Sequence, residues 1–240
     1  MKPVAELPAR HVAGALELLA AHAADAEHPV PVVLRVPCGP GEHAGWDLSA
    51  AAALANRPGL GVAVPADAPA ARSLLAAALS SPGPVVLLEP VSLYAAEDPG
   101  AGPGDEASAG GRARIARPGE QVTVVAWGAG VGLSLAAAEE AAAQGVSAEV
   151  IDLQWLVPLD LETVLASVER TGRLVVVEDV ETFGGVGAEV VARVVQEGFW
   201  HLDAPARRVP PPARFPLSAE DAGRPEPAAI LAAVLSSANT

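Results

Sequence analysis

Short, continuously apolar runs rich in β-branched residues punctuate this chain: "PVPVVLRVP", "LGVAVPAD" and "SPGPVVLLEPVSLY" in the first half, "QVTVVAWG", "SAEVIDLQWL" and "RLVVVEDV" in the second. A strand with one wet face alternates apolar and polar residues, so an unbroken run of strand length marks a strand covered on both faces. The stretches between these runs have helical character. From Arg10 to Ala26, Val12, Leu16, Leu18 and Leu19 recur at helical spacing until Pro29 and Pro31 stop the pattern. Further helices are predicted over Ala68 to Leu79, with Asp67 as N-cap, and over Val131 to Gln144, Leu161 to Arg170, Gly187 to Glu197 and Pro227 to Ser237, with a short strand near "ARRVP". Strands alternating with helices specify parallel sheets joined by right-handed crossovers, which makes the fold class α/β.

Between the two halves, "AAEDPGAGPGDEASAGG" has no periodicity and is dominated by Gly, Ala, Pro and acids. It reads as a flexible linker over 95–111, separating a first unit (1–94) from a second (112–240). The second unit is complete, closed by its own terminal helix. The first has three convincing strands and no obvious partner for either sheet edge, whereas parallel sheets usually carry more strands. The expectation is that another chain completes it.

Apolar residues make up 51 % of the sequence and aromatic residues only 3 %, so the core must be built from Val, Leu and Ala. With 29 acidic against 15 basic side chains the net charge is −14, which repels a phosphate backbone and speaks against nucleic-acid binding. No apolar run approaches the roughly 20 residues that span a bilayer, and no basic, hydrophobic and cleavable leader opens the chain. A soluble, cytoplasmic protein without a membrane partner is expected.

Cys38 is the single cysteine, which excludes an internal disulfide or a thiolate cluster; behind a proline at a strand end, it reads as a buried bystander. His11, His22, His28 and His201 show no metal-ligand spacing. Gly184, Gly185 and Gly187 form a GGxG that permits a tight strand-to-helix turn; the wider context of a nucleotide loop is missing, so packing is the expected role. Glu178, Asp179, Glu181 and Glu189 read as a solvated acidic rim rather than a metal site. No cofactor-binding or metal-binding residue is assigned within the chain.

The residues "VTVVAWG", "GVSAEVIDLQWLVPLDLETVLASVERTGRLVVVEDV", "GGVGAEVVARV" and "LDAPARRV" resemble the carboxy-terminal domain of the transketolase superfamily. The likeness is greatest to the beta subunit of the decarboxylating component of 2-oxoacid dehydrogenases of the pyruvate, branched-chain and acetoin types. "VPVVLRVP", "RPGLGVAVPADAPAARSLLAAAL" and "PGPVVLLEPVSLY" are similar to the later part of that subunit's pyrimidine-binding domain. The resemblance therefore implies a partial pyrimidine-type parallel-sheet domain followed by a complete transketolase C-terminal-type domain.

In the family, a glutamate on an earlier strand activates the aminopyrimidine of thiamine diphosphate, and a GDG-then-Asn pattern in a partner domain holds magnesium and the diphosphate. Neither has a counterpart here; "PGDEASAG" is not that pattern. The resemblance thus implies an oxidoreductase or transferase that is inactive as this chain alone. An alpha-like subunit would carry the diphosphate site and the activating glutamate, within a hetero-oligomer that has beta–beta contact through the C-terminal domain. The chemistry implied is 2-oxoacid decarboxylation or ketose cleavage, with transfer of a two-carbon or acyl unit to a lipoyl or carrier-protein arm, and an acyltransferase or carrier protein is a further implied partner. The alternative is a catalytically silent scaffold.

The family's beta subunits carry His-Ser-Gln after the "VPVVLR" strand, with an imidazole facing the substrate as acid, base or oxyanion donor. Anchoring on "RPGL" places Trp46-Asp47-Leu48 there and removes the imidazole. Anchoring on "WDLS", which resembles a stretch of deoxyxylulose-phosphate synthases just after a paired histidine, puts Glu42 and His43 in the histidine positions. His43 and Glu42 are accordingly the candidate catalytic residues. The competing register, with Trp46 covering a core edge and His43 an ordinary loop histidine, stays open.

Overall fold

A computed structural model describes residues 2–8, 11–12, 14–15, 18, 30–39, 49–95, 111–178, 184–211 and 225–240. Its contacts divide the chain into two units. One takes residues 1–112 with 154–159 and 214–222, and the other takes 113–153, 160–213 and 223–240. The linker expected over 95–111 lies mostly outside the described residues.

In the first unit the sheet runs β1 (Val4–Glu6), β2 (Val33–Cys38), β4 (Val85–Pro90), β3 (Gly61–Ala63) and β8 (Trp155–Val157), in that spatial order. All neighbours are parallel except β3 and β8, which are antiparallel. Every residue of β4 is buried, as are all but Arg35 in β2, which is what an unalternating apolar run requires. Five strands replace the three expected. Strand β1 is only three residues long and too short to carry a pattern, and β8 is supplied from far along the sequence.

"SAEVIDLQWL" is therefore not one strand but two, β7 (Ala148–Asp152) and β8, belonging to different sheets. The break falls at Gln154, whose φ of 57° turns the chain off the line of β7 in a conformation rare for a residue with a Cβ. Its carbonyl then accepts the Val64 N–H at 2.8 Å, fastening the entry to β8. Trp155 joins Val33, Ala63, Leu74, Ala78, Val85 and Leu87 in a buried cluster.

Helix α1 (Ser49–Ala55) precedes β3, and α2 (Ala68–Ser80) links β3 to β4. Asp67 caps α2 as expected, its carboxylate accepting the Ala70 N–H at 2.7 Å, with Pro69 in the first turn. Leu74 and Ala78 lie one helical turn apart on the buried face. Of the helix expected over 10–26, the described residues 12, 14, 15 and 18 are helical. Val12 is buried, but Leu18 is exposed, so it is not part of the core stripe.

The second unit's sheet has the order β10 (Arg207–Val209), β9 (Leu174–Val177), β6 (Val122–Ala126), β7 and β5 (Arg114–Arg117). All are parallel save β5, an edge strand antiparallel to β7 that the sequence reading did not anticipate. Helices α3 (Ala129–Ala143) and α6 (Pro227–Ala238) pack on each other, as do α4 (Leu161–Thr171) and α5 (Val186–Gly198). Asp160 caps α4 by accepting the Thr163 N–H at 3.1 Å and its hydroxyl at 2.6 Å. Thr123 on β6 meets Ser167 and Thr171 of α4 at 2.6 and 2.7 Å, a buried hydroxyl cluster that pairs its own members and fixes the helix on the sheet. Among the described residues no helix is long and apolar enough to cross a membrane.

Candidate functional site

In open α/β sheets, ligands gather at the carboxyl ends of the strands, where loops leave a rigid frame. In the first unit those ends are Cys38 of β2, Pro90 of β4 and the turn from β3 into α2. The segment 40–48 departs from the end of β2. Gly39, at its start, has φ of +137°, and a Cβ there would stand 2.8 Å from the Val91 side chain, so the chain can leave β2 on this course only with glycine. His43, Glu42 and Trp46 all lie outside the described residues, and so does the choice between the two registers. Cys38 is buried, in keeping with a bystander role.

What the structure adds at these strand ends is a charged cleft of about 450 Å³, lined by Arg35, Asp67, Arg72, Leu75, Glu89 and Tyr94, among others. Arg35 and Glu89 interrupt two otherwise apolar runs. Pro37 and Glu89 are register partners, and residues two apart share a strand face, so Arg35 and Glu89 come together on one side of the sheet. Arg35 donates from Nε to Oε1 of Glu89 at 2.6 Å and from Nη2 to Oε2 at 2.8 Å. The Tyr94 hydroxyl donates to the same Oε2 at 2.7 Å.

Partial burial of the phenol, reinforced by that carboxylate, holds Tyr94 well above the usual range, so it remains a proton donor at any physiological pH. The hydrogen bond from Arg35 to Glu89 likewise raises the guanidinium. Glu89 is 5 % exposed and all its bonds come from this pair of donors, which makes the trio a brace that ties β2 to the turn after β4. An arginine and a glutamate breaking two apolar runs was the sequence signal for this brace.

The second unit repeats the theme. Glu149 of β7 receives both its contacts from Arg170 at 2.7 Å, and Asp152 pairs with Arg114 at 3.0 Å. Glu178, just after β9, is fully buried, which corrects its place in a solvated acidic rim. It accepts from Arg208 Nε at 2.6 Å and from the Gly187 N–H at 3.0 Å. Burial nonetheless outweighs these partners and raises its pKa above the ordinary carboxylate value. Of the other rim residues, Glu189 is exposed, and Asp179 and Glu181 lie outside the described residues.

The GGxG turn therefore has a packing role. A Cβ at Gly187 would overlap the Glu178 carboxylate, and the amino end of α5 is already satisfied by that internal anion, leaving no vacancy for a phosphate. Among the described residues no group of three His, Cys, Asp or Glu could hold a metal ion. Glu89, Glu149, Asp152 and Glu178 are each committed to an arginine. The described residues thus do not fit a magnesium–diphosphate group.

Comparison with known proteins places these observations. The model described as "Transketolase, C-terminal domain" matches residues 111–230, and that described as "Transketolase, pyrimidine binding domain" matches residues 17–97. The chain is 44 % identical over 185 residues to the pyruvate dehydrogenase E1 component subunit beta-1, mitochondrial, of Arabidopsis thaliana, a match covering 75 % of this chain and 51 % of that protein. It is 37 % identical over 192 residues to the pyruvate dehydrogenase E1 component subunit beta of Bacillus subtilis, covering 78 % and 59 %. The chain thus spans about half the length of the curated relatives it matches. Among solved structures, one titled "Split gene transketolase, inactive beta4 tetramer" shares the fold, with a TM-score of 0.79 and 22 % identity over 99 % of this chain and 75 % of that one.

Proposed function

Because the chain belongs to the transketolase family, with that family's pyrimidine-binding and C-terminal domains, we propose that it is the beta-type part of a split thiamine-diphosphate-dependent enzyme. The observation that carries this reading is the identity of about 40 % to proteins named as pyruvate dehydrogenase E1 beta subunits, running across both domains. The reaction is decarboxylation of a 2-oxoacid or cleavage of a ketose, with the two-carbon or acyl unit passing to a lipoyl or carrier-protein arm.

The magnesium–diphosphate site and the activating glutamate come from outside these 240 residues, on an alpha-type polypeptide. In support of that division, four of the five described buried carboxylates, Glu89, Glu149, Asp152 and Glu178, are held by arginines, the fifth, Asp160, caps α4, and no described group of His, Cys, Asp or Glu could hold a metal ion. The solved relative whose title calls it an inactive beta4 tetramer fits a chain that is silent by itself.

Within this reading the chain contributes assembly and the substrate-side wall of the site. Any direct catalytic part falls to His43 and Glu42, which lie in the sequence between β2 and α1, and the Arg35–Glu89–Tyr94 brace ties the end of β2 to the turn after β4. His43 serves as proton donor or acceptor.

Co-expression with the alpha-type polypeptide of the same genome tests the proposal. The purified complex is expected to turn over pyruvate, another 2-oxoacid or a ketose phosphate, and this chain alone to turn over none of them. Turnover by the isolated chain, or an assembled complex inactive on every member of the panel, contradicts it.

A further inference from the structure

We propose that the outer edge of β1 is a docking site for a parallel strand donated by the partner polypeptide, an inference that rests on the split-enzyme reading above. In a parallel ladder, alternate residues bond to opposite neighbours. Val33 donates its N–H to the Pro3 carbonyl at 3.0 Å, and Leu7 donates to the Arg35 carbonyl at 2.9 Å. With Ala5 registered on Leu34, the odd-numbered residues of this stretch therefore face β2. The N–H and C=O groups of Val4 and Glu6 consequently face away from the sheet, and all three residues of β1 are exposed.

The other three sheet edges among the described residues carry the features by which proteins blunt an edge. Strand β8 is antiparallel with a register shift at Val62/Ala63, and β5 is antiparallel with a shift at Ile115/Arg117. Strand β10 is three residues long and carries Arg207, with Arg208 held on the buried Glu178. Strand β1 is short and carries the acid Glu6, but it has neither bulge nor positive charge, and it exposes Val4 at 47 %.

The chemistry of the edge specifies its occupant. Val4 and Glu6 share a face, and Glu6 is registered beside Arg35, whose guanidinium is hydrogen-bonded to Glu89 and lies within the field of Glu6. A strand laid along β1 meets an apolar side chain and, two residues on, a carboxylate. The complementary segment is extended, with an apolar residue followed two positions later by Lys or Arg. The net charge of −14 favours a basic partner over a second copy of this chain.

Hydrogen exchange of the wild-type chain, alone and in complex with the co-expressed alpha-type polypeptide, reads the edge directly. The Val4 and Glu6 amides are expected to exchange rapidly in the isolated chain and to slow by at least about tenfold in the complex. Val4→Pro removes an outward N–H while sparing the inner ladder. It should leave the circular dichroism and melting of the isolated chain unchanged, and weaken association by at least about tenfold. A complex in which both amides exchange as fast as in the free chain overturns the edge proposal and leaves the split-enzyme reading standing. Failure to form any complex overturns both. Protection that instead rises with the concentration of the isolated chain assigns the edge to a second copy and overturns the partner assignment.

Discussion

Replacing Arg208 with leucine is expected to destabilise the second unit by about 3–5 kcal/mol, because it leaves the fully buried Glu178 without its cation. The loss should appear as a lowered denaturant midpoint. The paired variant Glu178→Gln/Arg208→Leu should recover more than half of it, since the neutral amide can still accept the Gly187 N–H at the amino end of α5.

The pH dependence has a definite sign. The folded pKa of Glu178 is raised above its unfolded value, so the folded state holds the proton more tightly. That contribution to stability is full below the ordinary carboxylate pKa and is lost as pH rises through the folded value. Removing Arg208 takes away a partner that lowers the pKa, so Arg208→Leu should steepen the loss of stability between mildly acidic and neutral pH. A variant as stable as the wild type at pH 7 would show that the ion pair contributes nothing beyond packing.

The second large effect concerns chemistry. In the active complex, His43→Ala is expected to lower kcat by about 10²–10⁴-fold, the usual range for a positioned general acid or base, and to abolish the limb of the pH–rate profile that its imidazole produces. His201→Ala, at an exposed position in the second unit, should leave the rate unchanged. Near-full turnover by His43→Ala would instead place Trp46 at the family's histidine position and make the chain a scaffold with no side chain in the reaction.

The sequence made some levels of the fold legible and hid others for identifiable reasons. Strands β2, β4, β6, β7 and β9 could be read because burial on both faces leaves an apolar run that nothing else produces. The caps Asp67 and Asp160 use local chemistry, and Asp67 was readable from its place before Pro69. Strand β8 was hidden because the turn that sends it to another sheet is made by Gln154, without the glycine that ordinarily marks a positive φ. Strand β1, three residues long, is too short for any periodicity, whereas the equally short β10 falls where a strand was expected near "ARRVP".

Glu178 was misassigned because its partner lies 30 residues away on β10 and nothing local distinguishes it from the acids around it. The Arg35–Glu89–Tyr94 brace left a trace in two interrupted apolar runs, but its pairing depends on strand order, which skips from β2 to β4. The register of "GEHAGWDL" was ambiguous for a different reason: glycine and alanine on both sides supply no side-chain landmark to fix an alignment.

The central claim, that these 240 residues form one side of a thiamine-diphosphate site and depend on a second polypeptide for the other, is tested most directly by calorimetric titration of thiamine diphosphate with magnesium. No saturable binding to the isolated chain and stoichiometric binding to the complex with the alpha-type polypeptide are expected. Stoichiometric binding of the cofactor to the isolated chain would contradict it.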